Sequence, residues 1–410
     1  MFTVPRSSGG PPWILGSLAA LVVIGGVGAA AVHSFGSDKT ASSVETSPNL
    51  PSRPPVEIVE DLPRLKARLD GAAGHGFSGA VLVARGDQVL FRQVYGLGDR
   101  EQPKLLALDS KFRLASISKQ FTAVAILKLQ DQGVLSVDDP LCKWIQPCPT
   151  AWAPIRLSHL LTHTAGVPDL MARPQWGLRR VTPASSEELT ADSAKYGLQF
   201  EPGTKIRYSN AGYNLLGRVV EVASGKPFAD YLRNDLLDPL GLTDTGYDDG
   251  SADIVMGYAN FPTGVAPQPN ANPSIVFASG GLYSTLDDML MWTRALHRGD
   301  LLSKRSHAQM IEDHDPPGTP NERGRPPRAW GFGVFTNSLG ERVEPAFSDR
   351  QIYHTGSWSG FRNLATYQPD ADVTVIVLSN NYHQRDAVFL ISQQAMAEAL
   401  GHDFPQAMKR

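Results

Sequence analysis

A serine and a lysine three residues apart, Ser116 and Lys119 in FRLASISKQF, precede an apolar run that is typical of a buried helix. Residues three or four apart on a helix are neighbours, so the lysine can reach the serine hydroxyl and act on its proton. The unpaired N–H groups at a helix N-terminus also suit an oxyanion that develops beside the serine. The pair predicts nucleophilic acyl chemistry, although an isolated Ser-x-x-Lys is more often a helix cap followed by a surface lysine.

Two further polar clusters lie far along the chain from this pair. Tyr208 and Asn210, in IRYSNAGYN, come just before a helical segment, where a phenol and a carboxamide can project from a fixed loop. His354, Thr355 and Gly356, in YHTGSWSGF, come just before a strand-like segment. Because the sequence separations are long, only the fold can bring these groups together.

The flanking segments predict the elements that hold these residues. GAVLVARGDQVLFRQVYGLGD, from Gly79, alternates apolar residues around a turn and predicts a β-hairpin. FTAVAILKL, at 121–129, is apolar on nearly every face, which predicts a central buried helix that carries Ser116 and stops near Gly133.

Other segments complete the predicted architecture. Helices are expected within 157–168 and 210–232, and within 284–297 with a cap at Ser284. AWGFGVFTN and DVTVIVLSN predict strands, and AVFLISQQAMAEAL predicts a closing helix. Strands at both ends with helices between them predict one sheet built from sequence-distant pieces.

The composition is that of a soluble catalytic unit with an appendage. The chain has 410 residues, of which 42% are hydrophobic and 19% charged, with a net charge of −3. This length accommodates one large core with an inserted subdomain. Since neither the net charge nor any local Lys/Arg cluster provides a basic surface, we expect no nucleic-acid partner.

The N-terminus carries an uncharged apolar stretch at 13–32, long enough to span a bilayer as a helix. Arg6 precedes it, so the positive-inside bias puts residues 1–12 in the cytoplasm and the bulk of the chain outside. We favour an uncleaved membrane anchor, with a cleaved signal peptide ending at Ala29-x-Ala31 as the alternative. Residues 33–55, rich in Ser, Pro and Thr, predict a disordered linker. Both alternatives predict export, to the cell membrane facing outward or to the periplasm or medium.

Cys142 and Cys148 are the only cysteines. In an oxidising compartment they would form a short-loop disulfide, with two buried free thiols as the alternative. His159 and His163 lie four residues apart but lack the glutamate of H-E-x-x-H, so we interpret them as core residues and expect no metal. GSWSG has Trp358 where an α/β-hydrolase nucleophile would stand, which excludes that motif.

Taken together, Ser116-x-x-Lys119, Tyr208-x-Asn210 and His354-Thr355-Gly356 resemble the serine β-lactamase and penicillin-binding protein superfamily, in the branch of class C β-lactamases, DD-peptidases and related esterases. The resemblance covers roughly residues 75 to 400 and includes the segments LLTHTAGVP and SGGLYSTLDDMLMW. It implies an α/β (α+β) fold: a mixed, mostly antiparallel sheet flanked by helices, with an inserted helical subdomain. We predict this domain at 56–405 and the helical subdomain at roughly 135–270.

The resemblance also implies roles for the residues of the three motifs. Ser116 would be the acyl-accepting nucleophile, and Lys119 or Tyr208 the base that takes its proton. Asn210 would bind the carbonyl side of the substrate. The backbone N–H groups of Ser116 and of Ser357, which follows His-Thr-Gly, would form the oxyanion hole.

The third motif departs from the Lys-Thr-Gly of many class C β-lactamases. The histidine at 354 has an unperturbed pKa near 6.5, so near neutral pH it holds a substrate carboxylate less firmly than a lysine does. We therefore expect an exported serine hydrolase that cleaves D-alanyl peptides or small esters through an acyl-enzyme, without a cofactor. The alternatives are a weak β-lactamase and a non-catalytic sensor that binds penicillin or peptides. The sequence leaves the oligomeric state open.

Overall fold

A computed structural model describes residues 57–59, 61–174, 176–269, 271–316 and 329–408. The predicted cytoplasmic segment 1–12, the apolar stretch 13–32 and the linker 33–55 lie outside the described residues. Within the described ranges, no helix combines the length and the apolar character needed to cross a membrane. The domain limits stay predictions.

The centre of the fold is a six-stranded sheet built from both ends of the described chain. Its spatial order is β1-β3-β2-β6-β5-β4, and all neighbours are antiparallel except β1 and β3, which are parallel. The predicted mixed, mostly antiparallel sheet flanked by helices is confirmed. The strands are β1 Glu57–Ile58, β2 Gly79–Arg85, β3 Gln88–Tyr95, β4 Ile352–Trp358, β5 Phe361–Gln368 and β6 Val373–Ser379.

Alternating residues of β2 pack on opposite faces of the sheet, as the two-residue period of a strand requires. Val81 and Val83 belong to a cluster with Leu65 and Ile391, which lie on helices of one face. Leu82 belongs to the larger cluster that contains the buried helix after Ser116. Burial on both faces explains why the central strands are apolar at successive positions.

Helices cover both faces of this sheet and fill the long connection between its two halves. The longer ones are α1 Pro63–Gly74, α2 Ser118–Asp131, α3 Ser186–Ala194, α4 Asn210–Ser224, α5 Leu286–Arg298, α6 Lys304–Ile311 and α7 Arg385–Leu400. Single-turn α-helices lie at Leu157–Leu161, Trp176–Arg179, Phe228–Tyr231 and Phe277–Gly280, and a π-helix at Leu232–Leu237. Short 3₁₀ turns include Ala115–Ile117, Leu141–Lys143, Thr150–Trp152, Leu170–Ala172, Asp238–Leu240, Pro273–Ile275 and Leu339–Arg342.

Helix α2 is buried along most of its length and gives the site a rigid support. Phe121 stacks on Trp292 of α5, with ring centroids 3.7 Å apart. The expectation that the α-helix itself carries Ser116 needs a correction: Ser116 belongs to the 3₁₀ turn, and α2 begins at Ser118. Helix α5 is likewise capped by Thr285, whose side chain accepts the N–H of Asp288, and not by Ser284.

The strand predicted for AWGFGVFTN, at 329–337, is wrong. The segment folds back on itself, with isolated bridges from Trp330 to Phe335 and from Phe335 to Tyr353 of β4. Gly333 has a φ of +70°, which an extended strand does not contain, and a Cβ at Gly331 would overlap the carbonyl of Met310. The alternation of glycine and apolar residues therefore reflects a tight loop against α2 and α6.

Small sheets of two or three strands lie around the core. One of these sheets has three strands, Phe112–Arg113, Leu282–Ser284 and Gly246–Tyr247. Its strand Phe112–Arg113 comes just before the Ser116 turn in the chain. Two-stranded sheets pair Leu97–Asp99 with Lys104–Leu105, Tyr258–Phe261 with Gly264–Pro267, and Val343–Glu344 with Gln406–Ala407. Cys142 and Cys148 form a disulfide with their Cα atoms 5.3 Å apart.

Candidate active site

The turn that carries Ser116 is held between the small three-stranded sheet and the edge of the central sheet. Asn363 of β5 donates its Nδ2 hydrogen to the carbonyl of Arg113 at 2.8 Å. Ala115, immediately before the serine, has a φ of +51°, the left-handed region that non-glycine residues rarely adopt. This backbone reversal sets Ser116 at the start of α2 with its side chain on a cavity wall.

Lys119 lies one turn further on and its side chain is fully buried. Its Nζ is 2.8 Å from Asn210 Oδ1, 2.7 Å from the carbonyl oxygen of Ser279 and 3.3 Å from Ser116 Oγ. Burial lowers the pKa of Lys119 to about 7, and the nearby Asp169 carboxylate raises it in part. An appreciable fraction of Lys119 is therefore a neutral amine at physiological pH.

Tyr208 completes the contacts of the serine, because its hydroxyl donates to Ser116 Oγ at 2.8 Å. The segment is fixed by the start of α4, where the Ser209 side chain caps the helix by accepting the N–H of Gly212. The ring of Tyr208 also faces Lys119, with Nζ 4.8 Å from the ring centroid. The first two sequence motifs thus meet at Ser116 Oγ.

Asn210, the first residue of α4, has its carboxamide engaged at both ends. Its Oδ1 accepts from Lys119, and its Nδ2 donates to Asp169 Oδ2 at 3.0 Å and lies 3.1 Å from the sulfur of Met171. In this structure the amide holds the Lys119 side chain in addition to lining the cavity.

The third motif lies on β4, the edge strand of the central sheet, facing the same cavity. The His354 side chain is buried and stacks on Phe335, with centroids 4.9 Å apart. Its Nδ1 is 2.7 Å from the carbonyl of Thr355, and because a carbonyl only accepts, Nδ1 carries a hydrogen. A Cβ at Gly356 would overlap the carbonyl oxygen of Leu114, so glycine allows the strand to approach the Ser116 turn.

The residues of the three motifs surround a cavity of about 290 Å³. Six of the residues predicted from the sequence line it: Ser116, Tyr208, Asn210, His354, Thr355 and Ser357. The other lining residues are Ala115, Met171, Val276, Ser279, Gly280, Phe335 and Trp358. Trp358 belongs both to this lining and to a small buried hydrophobic cluster.

Several groups at the site were not identified from the three sequence motifs. Ser279 contributes a backbone carbonyl, so its side chain gives no signal. Asp169 follows the segment LLTHTAGVP, which was recognised only as framework. His163, in the same segment, stacks on Tyr208 with centroids 4.4 Å apart and accepts the N–H of Ser209 at Nδ1.

His163 already uses the lone pair of its Nδ1 to accept the N–H of Ser209. Burial, with Lys119 and His354 nearby, holds the pKa of His163 well below its ordinary value, so the ring is neutral. Its partner in the sequence pattern, His159, accepts the N–H of Arg156 at Nδ1. Across the described parts of the chain, no three His, Cys, Asp or Glu side chains are grouped for a metal ion.

A second cavity, of about 730 Å³, shares the 3₁₀ turn Leu170–Ala172 with the first, since Leu170 lines the larger space and Met171 the smaller. Arg179 pairs with Glu188 and Asp192 on its wall. The guanidinium of Arg173 lies over the ring of Tyr196, 4.4 Å from the centroid. The larger space thus has a mixed apolar and charged lining.

Comparison with known proteins agrees with this arrangement. The D-alanyl-D-alanine-carboxypeptidase/endopeptidase AmpH of Escherichia coli (strain K12) is 33% identical over 251 residues, which cover 58% of this chain and 62% of AmpH. Esterase EstB of Burkholderia gladioli is 28% identical over 389 residues, covering 82% of this chain and 98% of EstB. The octameric penicillin-binding protein homologue from Pyrococcus abyssi superposes with a TM-score of 0.71 at 26% identity, over 84% of this chain and 78% of that one.

The family model described as beta-lactamase matches residues 64–397, which include all three motifs and both halves of the central sheet. The relatives named above are hydrolases or penicillin-binding proteins, as the resemblance of the motifs implied. The chain therefore belongs to the β-lactamase family and is a serine hydrolase of its penicillin-binding protein and esterase branch.

Proposed function

We propose that the protein is an exported hydrolase that cleaves D-alanyl peptides or small esters through an acyl-enzyme on Ser116. The observation that carries the proposal is the position of Ser116 Oγ, 2.8 Å from the Tyr208 hydroxyl and 3.3 Å from Lys119 Nζ on the wall of a cavity. A hydroxyl between a phenol and a largely desolvated amine is set up to lose its proton as it attacks a carbonyl.

The hydrogen bonds of Lys119 favour the lysine as the base. A neutral amine has two hydrogens and one lone pair. The Asn210 Oδ1 and Ser279 carbonyl oxygens only accept, so they take the two hydrogens. The lone pair then points toward Ser116 Oγ, the remaining contact. A pKa of about 7 makes this neutral form available at physiological pH.

In the acylation step, Ser116 Oγ bonds to the carbonyl carbon and its proton passes to Lys119. The C–N or C–O bond to the leaving group then breaks, and the leaving group takes a proton from Lys119 through Tyr208. Tyr208 is placed for this transfer because its hydroxyl donates to Ser116 Oγ and its ring faces Lys119 Nζ. Water hydrolyses the ester in the reverse sense and frees Ser116.

The carbonyl oxygen of the substrate would carry the developing charge. We assign its stabilisation to the backbone N–H groups of Ser116 and Ser357, which belong to residues on facing walls of the cavity. The close approach that Gly356 allows between β4 and the Ser116 turn supports this assignment. Asn210, Thr355 and His354 would contact the remainder of the acyl donor.

The proposed substrates follow from the relatives and from the third motif. AmpH is named as a D-alanyl-D-alanine carboxypeptidase and endopeptidase, and EstB as an esterase. His354 is buried and stacked on Phe335, so the site offers a histidine where a β-lactamase of this type has a lysine. The β-lactam ring would acylate Ser116 with slow turnover, while the larger cavity provides room for the distal part of a peptide.

Export is part of the proposal. The apolar stretch 13–32 would anchor the protein with its catalytic domain outside the cytoplasm, or direct its secretion after cleavage. The Cys142–Cys148 disulfide supports an oxidising compartment, because such bonds are rare in the cytosol of most organisms.

The test uses the purified protein with a fluorescent penicillin, D-alanyl-D-alanine peptides and short p-nitrophenyl esters, followed by turnover and intact mass. We expect an acyl adduct on the parent protein and none on Ser116→Ala. Ser118→Ala is the control, because Ser118 is the neighbouring buried serine and its hydroxyl accepts the N–H of Leu282 away from the cavity. A parent protein that neither takes an acyl group nor turns over any substrate would instead be a non-catalytic binding protein.

A further inference from the structure

A partly buried carboxylate behind the proposed catalytic lysine has no role in the mechanism above. Asp169 lies just before the 3₁₀ turn Leu170–Ala172 and caps it by accepting the N–H of Met171 at 3.1 Å. Its other oxygen accepts the Nδ2 hydrogen of Asn210 at 3.0 Å. Because Asp169 does not line the catalytic cavity, a bound acyl donor would meet Asn210 and Met171 first.

Three groups are thus connected in series: the Asp169 carboxylate, the Asn210 carboxamide and the Lys119 amine. A carboxamide has a donor end and an acceptor end, and either can in principle face Lys119. Since a carboxylate only accepts hydrogen bonds, Asp169 selects the orientation in which Nδ2 points to it and Oδ1 points to the lysine. In the reversed amide, the Nδ2 hydrogens of Asn210 would face the hydrogens of Lys119 Nζ. Its Oδ1 would then face the Asp169 carboxylate, which has no hydrogen to donate.

We propose that Asp169 is a positioning residue that acts through Asn210: it fixes the amide so that Oδ1 takes a hydrogen of Lys119, and it supplies the negative charge that balances the lysine when the lysine is protonated. The inference deepens the proposed function and rests on it, since it assigns the group that tunes the proposed base.

Opposing effects act on the charge of this carboxylate. Asn210 is the first residue of α4, so Asp169 lies at the positive end of a 15-residue helix and also interacts with the backbone N–H of Asn210. Burial is the largest effect and leaves the pKa of Asp169 above its ordinary value, while the hydrogen bonds from Met171 and Asn210 and the charge of Lys119 lower it in part. Reciprocally, Asp169 raises the pKa of Lys119 against the larger effect of burial.

Other groups face Lys119 and their effects must be separated from that of Asp169. The rings of Tyr208 and Tyr213 lie with their centroids 4.8 and 5.4 Å from Nζ. His163 and His354 are also close enough for Lys119 and the two imidazoles to influence one another, as the lowered pKa of His163 records. Among these groups, Asp169 is the one that adds negative charge at neutral pH. Its removal therefore lowers the pKa of Lys119, whereas removal of a nearby cation would raise that pKa.

The decisive variant is Asp169→Asn in the full chain. Asparagine is nearly the same shape and also caps a turn, so the bond to the Met171 N–H is retained while the charge is lost. We expect the acidic limb of the pH profile for acylation by a p-nitrophenyl ester, which reports the deprotonation of Lys119, to move to lower pH by about 0.5 to 1 unit. We also expect the plateau rate to fall roughly tenfold, because the weaker base and the freed amide both slow proton transfer.

Asp169→Glu provides the conservative arm, because it keeps the charge: its acidic limb should stay at the pH of the parent even where its plateau rate falls. Asp139→Asn is the matched control, since Asp139 also accepts a backbone N–H in a loop and pairs with a lysine, but that lysine is Lys143, on the 3₁₀ turn Leu141–Lys143 and not at the cavity. It should leave both limb and plateau unchanged.

A direct titration separates this inference from the proposed function. The protein is labelled with [ε-¹³C]lysine, and the NMR signal of Lys119 is identified by its loss in Lys119→Met. In Asp169→Asn, titration of this signal without any substrate should show a pKa of Lys119 lowered by the same amount as the acidic limb. An unchanged Lys119 titration together with an unmoved limb would overturn the role of Asp169 while leaving the hydrolase intact. A parent protein that takes no acyl group overturns the proposed function instead.

Discussion

Two tyrosines approach Lys119, and they differ in what their hydroxyl groups bind. The Tyr208 hydroxyl donates to Ser116 Oγ at 2.8 Å, whereas the Tyr213 hydroxyl donates to the carbonyl of Leu161 at 2.7 Å. Both rings lie near Nζ, so replacing either by phenylalanine keeps the aromatic contact with the lysine. The pair therefore isolates the contribution of the hydroxyl that contacts the nucleophile.

We expect Tyr208→Phe to lower kcat/KM for a p-nitrophenyl ester by roughly 10²- to 10⁴-fold, the usual range for a lost proton-transfer group. Its free energy of unfolding should change little, because the cavity around the hydroxyl is open to water. Tyr213→Phe should show the opposite pattern, with near-parent activity and a loss of about 1–3 kcal/mol of stability from the unpaired buried carbonyl. Equal kinetic losses in the two variants would contradict the role of Tyr208.

The depressed pKa of Lys119 predicts a pH dependence of stability. Below pH about 7 the lysine is protonated in both the folded and the unfolded chain. Between about 7 and the unperturbed value near 10.4, only the unfolded chain keeps the proton. The unfolded state then binds more protons, so the contribution of Lys119 to the free energy of unfolding rises with pH, by about 1.4 kcal/mol per unit.

Lys119→Met should remove this contribution together with the catalytic activity. Urea unfolding at pH 7 and pH 9 gives the free energy of unfolding of parent and variant. The difference between the two proteins at each pH reports the contribution of Lys119, because the effects of the other titrating groups cancel. We expect the variant to be the more stable protein at pH 7, since a buried charge is replaced by an apolar side chain, and its advantage to shrink at pH 9. Parallel pH profiles would show that Lys119 titrates normally.

At the residue scale, the spacing of Ser116 and Lys119, together with the resemblance of the three motifs to a known family, predicted which side chains would meet. Ser116, Lys119, Tyr208 and Asn210 come together although their motifs are about 90 residues apart. The carbonyl of Ser279 and the carboxylate of Asp169 were not predicted. A backbone carbonyl carries no sequence signal, and an aspartate in a loop is as readily a turn cap, which Asp169 also is.

At the scale of elements, the approach of β4 to the Ser116 turn depends on one missing side chain. A Cβ at Gly356 would overlap the Leu114 carbonyl and press on Asn363, the residue opposite it on β5. Asn363 in turn holds the Arg113 and Leu114 carbonyls. The distance between the two walls of the cavity is thus set by backbone packing.

We expect Gly356→Ala to push β4 away from the turn, with a loss of about 1–3 kcal/mol in stability and at least a tenfold loss in kcat/KM. Gly71→Ala is the control: Gly71 is an exposed residue of helix α1 with open space around its Cβ position, and alanine there should add about 0.5–1 kcal/mol. Thermal unfolding and ester hydrolysis measure both. Full activity in Gly356→Ala would show that the two walls are not coupled.

Element types were predictable where the apolar pattern was long, as for α2 and the hairpin of β2 and β3. The pattern failed at 329–337, where glycines serve close packing against Met310 and Lys119 and not an extended chain. It also missed the 3₁₀ turn at Ser116, because the left-handed Ala115 has no sequence signature. Tertiary contacts decide both cases, and a single sequence does not contain them.

At the scale of the whole molecule, the export proposal predicts where the chain is found and in which redox state. In cells that express the full chain, we expect activity in the membrane fraction that survives carbonate washing, and digestion of the domain by protease added from outside the cytoplasmic membrane. Cys142 and Cys148 should resist alkylation before reduction. A soluble, shorter product would indicate the cleaved signal, and a cytosolic protein with two reactive thiols would contradict export.

The pairing of β2 with β6 also dictates when the protein can fold. Val81 of β2 lies opposite Val377 of β6, so the middle of the sheet joins residues roughly 300 positions apart. At a synthesis rate of about 5–20 residues per second, β2 emerges from the ribosome some 15–60 s before its partner exists. Throughout that interval the growing chain lacks the surface on which α2 rests. The central sheet therefore stays incomplete while the chain is being made, and under the export proposal such an incomplete fold is what a secretory channel would thread across a membrane.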